Sequence, residues 1–167
     1  FFFFANQEKS DSTLLDGIGS TSVNTTGFVI ESSELNTTTN IEHTLEDSMK
    51  NLKSATDALV NIMCRYPNAS ITTLKKIHVY SIHIIQTKIT AIQYSWKNQQ
   101  TWSALECAST LLPVTFEERK SLIQVYDLLS FIYVNLLEQK DVLSMLYDEH
   151  LGIVKVAEEE LICTHSI

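Results

Sequence analysis

A chain of 167 residues with 44% hydrophobic content has the length of one domain, and its net charge of −8 excludes the basic footprint that nucleic-acid phosphates require. The same shortage of Lys and Arg argues against docking on anionic lipid surfaces. Glycine and proline are scarce, at 4 and 2, and Gly17, Gly19 and Gly27 all fall early, so the remainder is expected to be helices with tight joints.

Residues 1–5, FFFFA, begin without Met and resemble the apolar end of a signal peptide, with Ala5 small enough to precede a cleavage. Residues 6–40 are rich in Ser, Thr and Asn, bury too little apolar surface to offset their ordering entropy, and are expected to form a flexible tail. Within it the triplet Phe28-Val29-Ile30 is an apolar island able to dock on the domain that follows. Asn-x-Ser/Thr sequons at Asn24, Asn36 and Asn68 fall in this tail or in a loop, where glycan acceptors belong. Together these features predict a secreted glycoprotein.

Residues 41–167 are predicted to be all-α, an antiparallel up-down four-helix bundle with a short fifth crossing helix, preceded by the disordered N-terminal tail. The first helix opens near Asn40 on a capping box of Thr39 and Glu42. It carries Leu45, Met49, Leu52, Thr56, Leu59, Met63 and Tyr66 on one seam and stops at Pro67. The second, capped by Asn68 or Ser70, is expected to run to about Asn98. Its β-branched run from Ile77 to Ile85 has strand propensity, but lack of alternation over roughly thirty residues favours a helix. Residues 102–112 form the short crossing helix, ended by Pro113.

Thr115 and Glu118 make a second capping box and open the most apolar segment of the chain. Leu122, Val125, Leu129, Ile132 and Leu136 form a helical stripe that Ile123, Tyr126, Leu128, Phe131, Tyr133 and Leu137 widen, so this helix is expected to be surrounded by others. Gln124, Asp127 and Asn135 interrupt it, so no membrane span is predicted. Beyond Glu138 the chain either turns at Asp141 into a separate last helix or continues as one bent helix through Leu143, Leu146 and His150. The hairpin gives the central helix more neighbours. That topology puts Cys107 and Cys163 at one end of the bundle and Cys64 at the other, which predicts a Cys107–Cys163 disulfide.

No constellation for chemistry emerges. His78 and His83 point to different sides of a helix and cannot share a metal from it, and Asp148-Glu149-His150 lacks a second Glu-x-x-His. There is no Gly-x-Ser-x-Gly, no phosphate loop and no basic neighbour to activate Cys107, so neither an enzyme nor a cofactor is predicted. The expected function is that of a secreted non-catalytic module, an effector, inhibitor or ligand-like protein acting on a protein partner whose identity the residues do not give. The alternative is an extracellular carrier whose small apolar ligand lies in the bundle interior, in a cavity bordered by Ile85, Ile89, Ile92, Leu129, Ile132 and Leu136.

Overall fold

A computed structural model describes Phe2–Phe4, Gly17–Ser20, Thr26–Ser33 and residues 41–98 and 101–165. Thr39, Asn24 and Asn36 lie outside these residues. Strands β1 (Phe2–Phe4), β2 (Gly17–Ser20) and β3 (Thr26–Ser33) precede helix α1 (Ile41–Arg65) and the single-turn helix α2 (Ile71–Leu74). Strands β4 (His78–Ile85), β5 (Lys88–Asn98) and β6 (Thr101–Leu111) follow, and helix α3 (Leu122–His150) closes the order before two short 3-10 turns. The six strands form one sheet in sequence order, antiparallel throughout except that β3 and β4, joined across α1, run parallel.

The fold is therefore a mixed sheet with helices, and the predicted all-α four-helix bundle is overturned. The error arose at β4. Its sequence, HVYSIHII, is buried over five consecutive positions from Val79 to His83, because the strand is covered on both faces. A strand in that position has no wet face, so it loses the alternation that would have identified it. Its β-branched residues suit a pleated, doubly covered surface and are poor in a helix. Gln86 and Thr87 make the two-residue turn into β5, with Gln86 at a φ of 54°. Thus the expected second helix is a hairpin, and the expected crossing helix at 102–112 is the edge strand β6.

Side-chain direction separates the two faces. Val79 and its cross-strand partner Tyr94, with Trp96, pack under α1 against Ala55, Leu59 and Ile62. Tyr80, Ile82, Ile89 and Ala91 point the other way and pack against Val125, Leu128, Ile132 and Leu136 of α3. The architecture is three layers: helix, sheet, helix. β3, inside the segment expected to be a flexible tail, joins the sheet, where Val29 is fully buried and Ile30 packs on the α3 side. Pairing with β4 gives Val29 and Ile30 both backbone partners and burial.

α1 begins and ends close to the predicted limits, and Leu59, Met63 and Tyr66 of the predicted seam are buried, but the start of the helix is turned differently from that seam. Asn51, Ala55, Ala58 and Ile62 face inward, whereas Leu45 and Met49 are exposed. Small alanines allow a helix to lie close on a sheet, which a heptad seam of large side chains does not. α3 is one continuous helix of 29 residues, so the separate last helix is also corrected. Past Leu136 it leaves the sheet, and Leu143 and Leu146 join Tyr66, Ile71 and Leu74 in the first core cluster.

Two polar side chains fix α3 in this position. Buried Gln139 accepts the N–H of His78 at 2.8 Å and donates to the carbonyl of Lys76 at 3.2 Å, satisfying backbone where β4 begins. One helical stretch later, buried Glu149 accepts the Ser70 N–H at 2.9 Å and the Thr73 hydroxyl at 2.7 Å. Replacing Gln139 by Ala strands both a donor and an acceptor at the end of the strand. Gln139→Ala is expected to lower stability by about 1–3 kcal/mol, read as a lower urea midpoint at unchanged slope.

Candidate functional site

The described residues hold three kinds of feature that chemistry or binding might use: a buried polar layer, two open clefts, and the outer face of α3. The polar layer comprises Asp47 and Asn51 of α1 and Ser81 and His83 of β4, with Tyr94 of β5 beside Ser81. Asn51 and Ser81 are fully buried, both amide atoms of Asn51 and Nε2 of His83 lack a partner, and Ser81 Oγ lies 3.5 Å from the Tyr94 hydroxyl. Burial pushes the Tyr94 phenol up, with the Ser81 contact opposing, and pushes the His83 imidazole down, with Asp47 opposing. The residue types are those of nucleophile and base. They are buried inside the helix–sheet packing.

On the opposite face, Tyr80 donates its hydroxyl to Asn135 at 3.1 Å and lies 3.4 Å from Gln93 Oε1. Burial, then the Cys107 thiol and the Glu138 carboxylate, push it up to about 12. Cys107 sits at a bulge of β6, its Sγ 3.7 Å from Gln93, and burial raises its pKa, the reverse of nucleophile activation. Among the described residues no three His, Cys, Asp or Glu side chains come together as metal ligands would, and no helix is long and apolar enough to cross a membrane.

The residues singled out from sequence separate in space. Cys163 lies in the closing 3-10 turn, where its N–H donates to the Pro67 carbonyl at 2.9 Å, far in the topology from the β6 bulge, and no disulfide joins it to Cys107. The pairing was predicted from bundle ends that this fold does not have. Asn68 is exposed in the turn between α1 and α2. Of the six residues expected around an apolar ligand, Ile89, Ile132 and Leu136 pack together under α3, Ile92 packs on the α1 side, Ile85 is half-buried and Leu129 is 45% exposed. They do not border a common space. One cleft, of about 670 Å³, is lined by Ile71, Lys75, Trp96, Lys97, Asn98, Thr101 and His165, and another of about 400 Å³ runs beside Asn68, His150 and Lys155.

α3 carries the remaining feature. Its inner stripe is consumed by the core, yet Leu122, Ile123, Tyr126, Leu129, Tyr133, Val134 and Leu137 stay exposed on the other side, Ile123 at 66% and Tyr126 at 64%. Helix-wide apolarity was visible in the sequence. The inference drawn from it, that other helices surround α3, is corrected: the sheet covers one side and leaves the other to solvent. Exposed apolar side chains gathered along one helix are a feature that contact surfaces share.

Compared with known proteins, the chain matches no family model, and neither a curated protein nor a solved structure matches it.

The buried imidazoles generate a pH dependence. His83 and His78 are both held below the ordinary value of 6.5 by burial, so the folded state keeps them neutral where the unfolded chain takes up protons. Stability is present in full above pH 6.5 and is lost as pH falls below it toward the folded values. Urea midpoints measured between about pH 7.5 and 5.5 should fall, and His83→Gln should flatten that fall.

Proposed function

We propose that this chain is a secreted, non-catalytic protein that acts by binding another protein chain through the outer face of α3. The observation that carries this reading is the exposed run from Leu122 to Leu137, with Ile123 and Tyr126 each about two-thirds exposed. Its make-up fits an interface core, rich in Leu and Tyr, with Gln124, Asp127 and Ser130 the exposed polar residues among them. Charged residues, Glu118 on one side and Glu138 and Lys140 on the other, follow it at its two ends in the sequence. Rigid aromatic side chains on a helix fixed by Gln139 and Glu149 lose little freedom on association.

Secretion is supported by the sequons. Asn68 is exposed in its turn, so protein made by a eukaryotic secretory cell is expected to lose mass on enzymatic deglycosylation, and Asn68→Gln is expected to remove that part of the shift. Binding is tested with a photo-crosslinking residue placed at Tyr126 and, as control, at exposed Asp57 on α1, in the protein's own extracellular fluid. Protein adducts from the first position and not the second are expected. Tyr126→Ala should weaken that association about 30-fold, as loss of an aromatic anchor does, with the unfolding midpoint unchanged. Absence of any protein adduct at Tyr126 would rule the reading out.

A further inference from the structure

We propose that the cleft of about 670 Å³ where α2, the β5–β6 hairpin end and the closing 3-10 turn come together binds a small organic oxyanion, a phosphate or carboxylate carried on a compact body. This site shares no residue with the outer face of α3 and goes beyond the reading of that face. Separate stretches of chain build it: Lys75 at the end of α2, Trp96 and Lys97 near the end of β5, Thr101 at the start of β6, and His165 of the 3-10 turn Ile162–His165. The chain carries 20 acidic residues against 12 basic ones, yet the described residues that line this cleft include two lysines and no Asp or Glu. A cleft lined by one sign of charge raises the local concentration of ligands of the other sign.

Neither lysine is taken up by a carboxylate of the fold. Both are exposed and form no ion pair with a described residue, and the Lys75 ammonium lies 5.6 Å from the centroid of the Trp96 ring. Trp96 is packed in the first core cluster at 5% exposure, so the cation–π contact holds that ammonium at the cleft instead of leaving it to wander in solvent. The indole N–H of Trp96, a donor only, is buried without an acceptor, so this wall is short of acceptors and not of donors. His165 is fixed as well: its Nε2 lies 2.9 Å from the Glu159 carbonyl oxygen, which can only accept, so Nε2 carries the proton. An oxyanion supplies the missing negative charge and acceptors. A cation would be repelled by both lysines, and a neutral molecule would leave them unpaired. The volume falls in the range of small-molecule sites, which gives room for an organic body beside the charged group. Two lysines are too few for a nucleic acid or an anionic membrane, which are held by many such contacts at once.

The test is titration of the full chain with phenyl phosphate, benzoate and benzyl alcohol, three probes built on one aromatic body that differ in charge. Affinity is read by ligand-observed NMR, and place by the fluorescence of Trp96 in a Trp102→Phe background, since these are the two tryptophans of the chain. Saturable binding of both anions is expected, with dissociation constants on the order of 1 mM, and none of benzyl alcohol. Phenyl phosphate binding tighter than benzoate would assign a phosphate, and the reverse order a carboxylate. Lys97→Gln removes a cation that no contact in the fold uses, and should weaken both anions about tenfold with the circular dichroism melt unchanged. Lys75→Gln should do the same, whereas Lys155→Gln, at the other cleft, should leave the affinity as it was. Neither anion saturating at tens of millimolar, benzyl alcohol binding as tightly as they do, or an affinity indifferent to Lys97→Gln would each overturn the inference. Tyr126→Ala should not move the titration, so this site and the α3 face stand or fall separately.

Discussion

Burial of β4 on both faces is the constraint from which the rest of this structure follows. A strand that points Val79, Ser81 and His83 one way and Tyr80 and Ile82 the other, all out of water, requires a covering layer on each side. α1 supplies one layer and α3 the other. Parallel pairing with β3 requires a crossover between the two strands, and α1 serves as that crossover as well as a layer. The antiparallel hairpin to β5 and β6 then widens the sheet until α3 has a floor to lie on.

α3 departs from an ordinary covering helix in being apolar on two sides. Its inner side meets Tyr80, Ile82 and Ile89, and two buried polar side chains, Gln139 and Glu149, determine its rotation and its sliding along the sheet. Had these positions been apolar, either side of the helix would have served to cover the strands. Hydrogen bonds to the backbone at Lys76, His78 and Ser70 are directional, and they select the side that turns inward. The outer Leu and Tyr residues are thereby presented on a rigid support. Fold and proposed function meet at this point, because the interactions that orient the helix also present its outer face.

The polar groups under α1 have a different part. Asn51 and His83 keep atoms without partners inside the packing, and Asp47 lies near enough to oppose the burial of the imidazole. Unpaired polar atoms of this kind lower stability. Burial holds His83 and His78 below their ordinary pKa, which makes the fold sensitive to acid.

Several elements were legible in the sequence. α1, with its stop at Pro67, needed only a local pattern and a proline; the apolar length of α3 and its interruption by Gln124, Asp127 and Asn135 were equally plain. The exposed sequon at Asn68 followed from the turn that Pro67 starts. What the sequence by itself determined was local: where chain stiffness changes and which segments are too apolar to remain alone. Only the tertiary structure decided whether the Ile77-to-Ile85 run was helix or strand, because a doubly covered strand and a buried helix share the same unbroken hydrophobicity. Only it decided which side of α3 turned inward and which faced out, because that choice is made by Gln139 and Glu149 reaching backbone groups some sixty to eighty residues away in the chain, and no local pattern records such a distance.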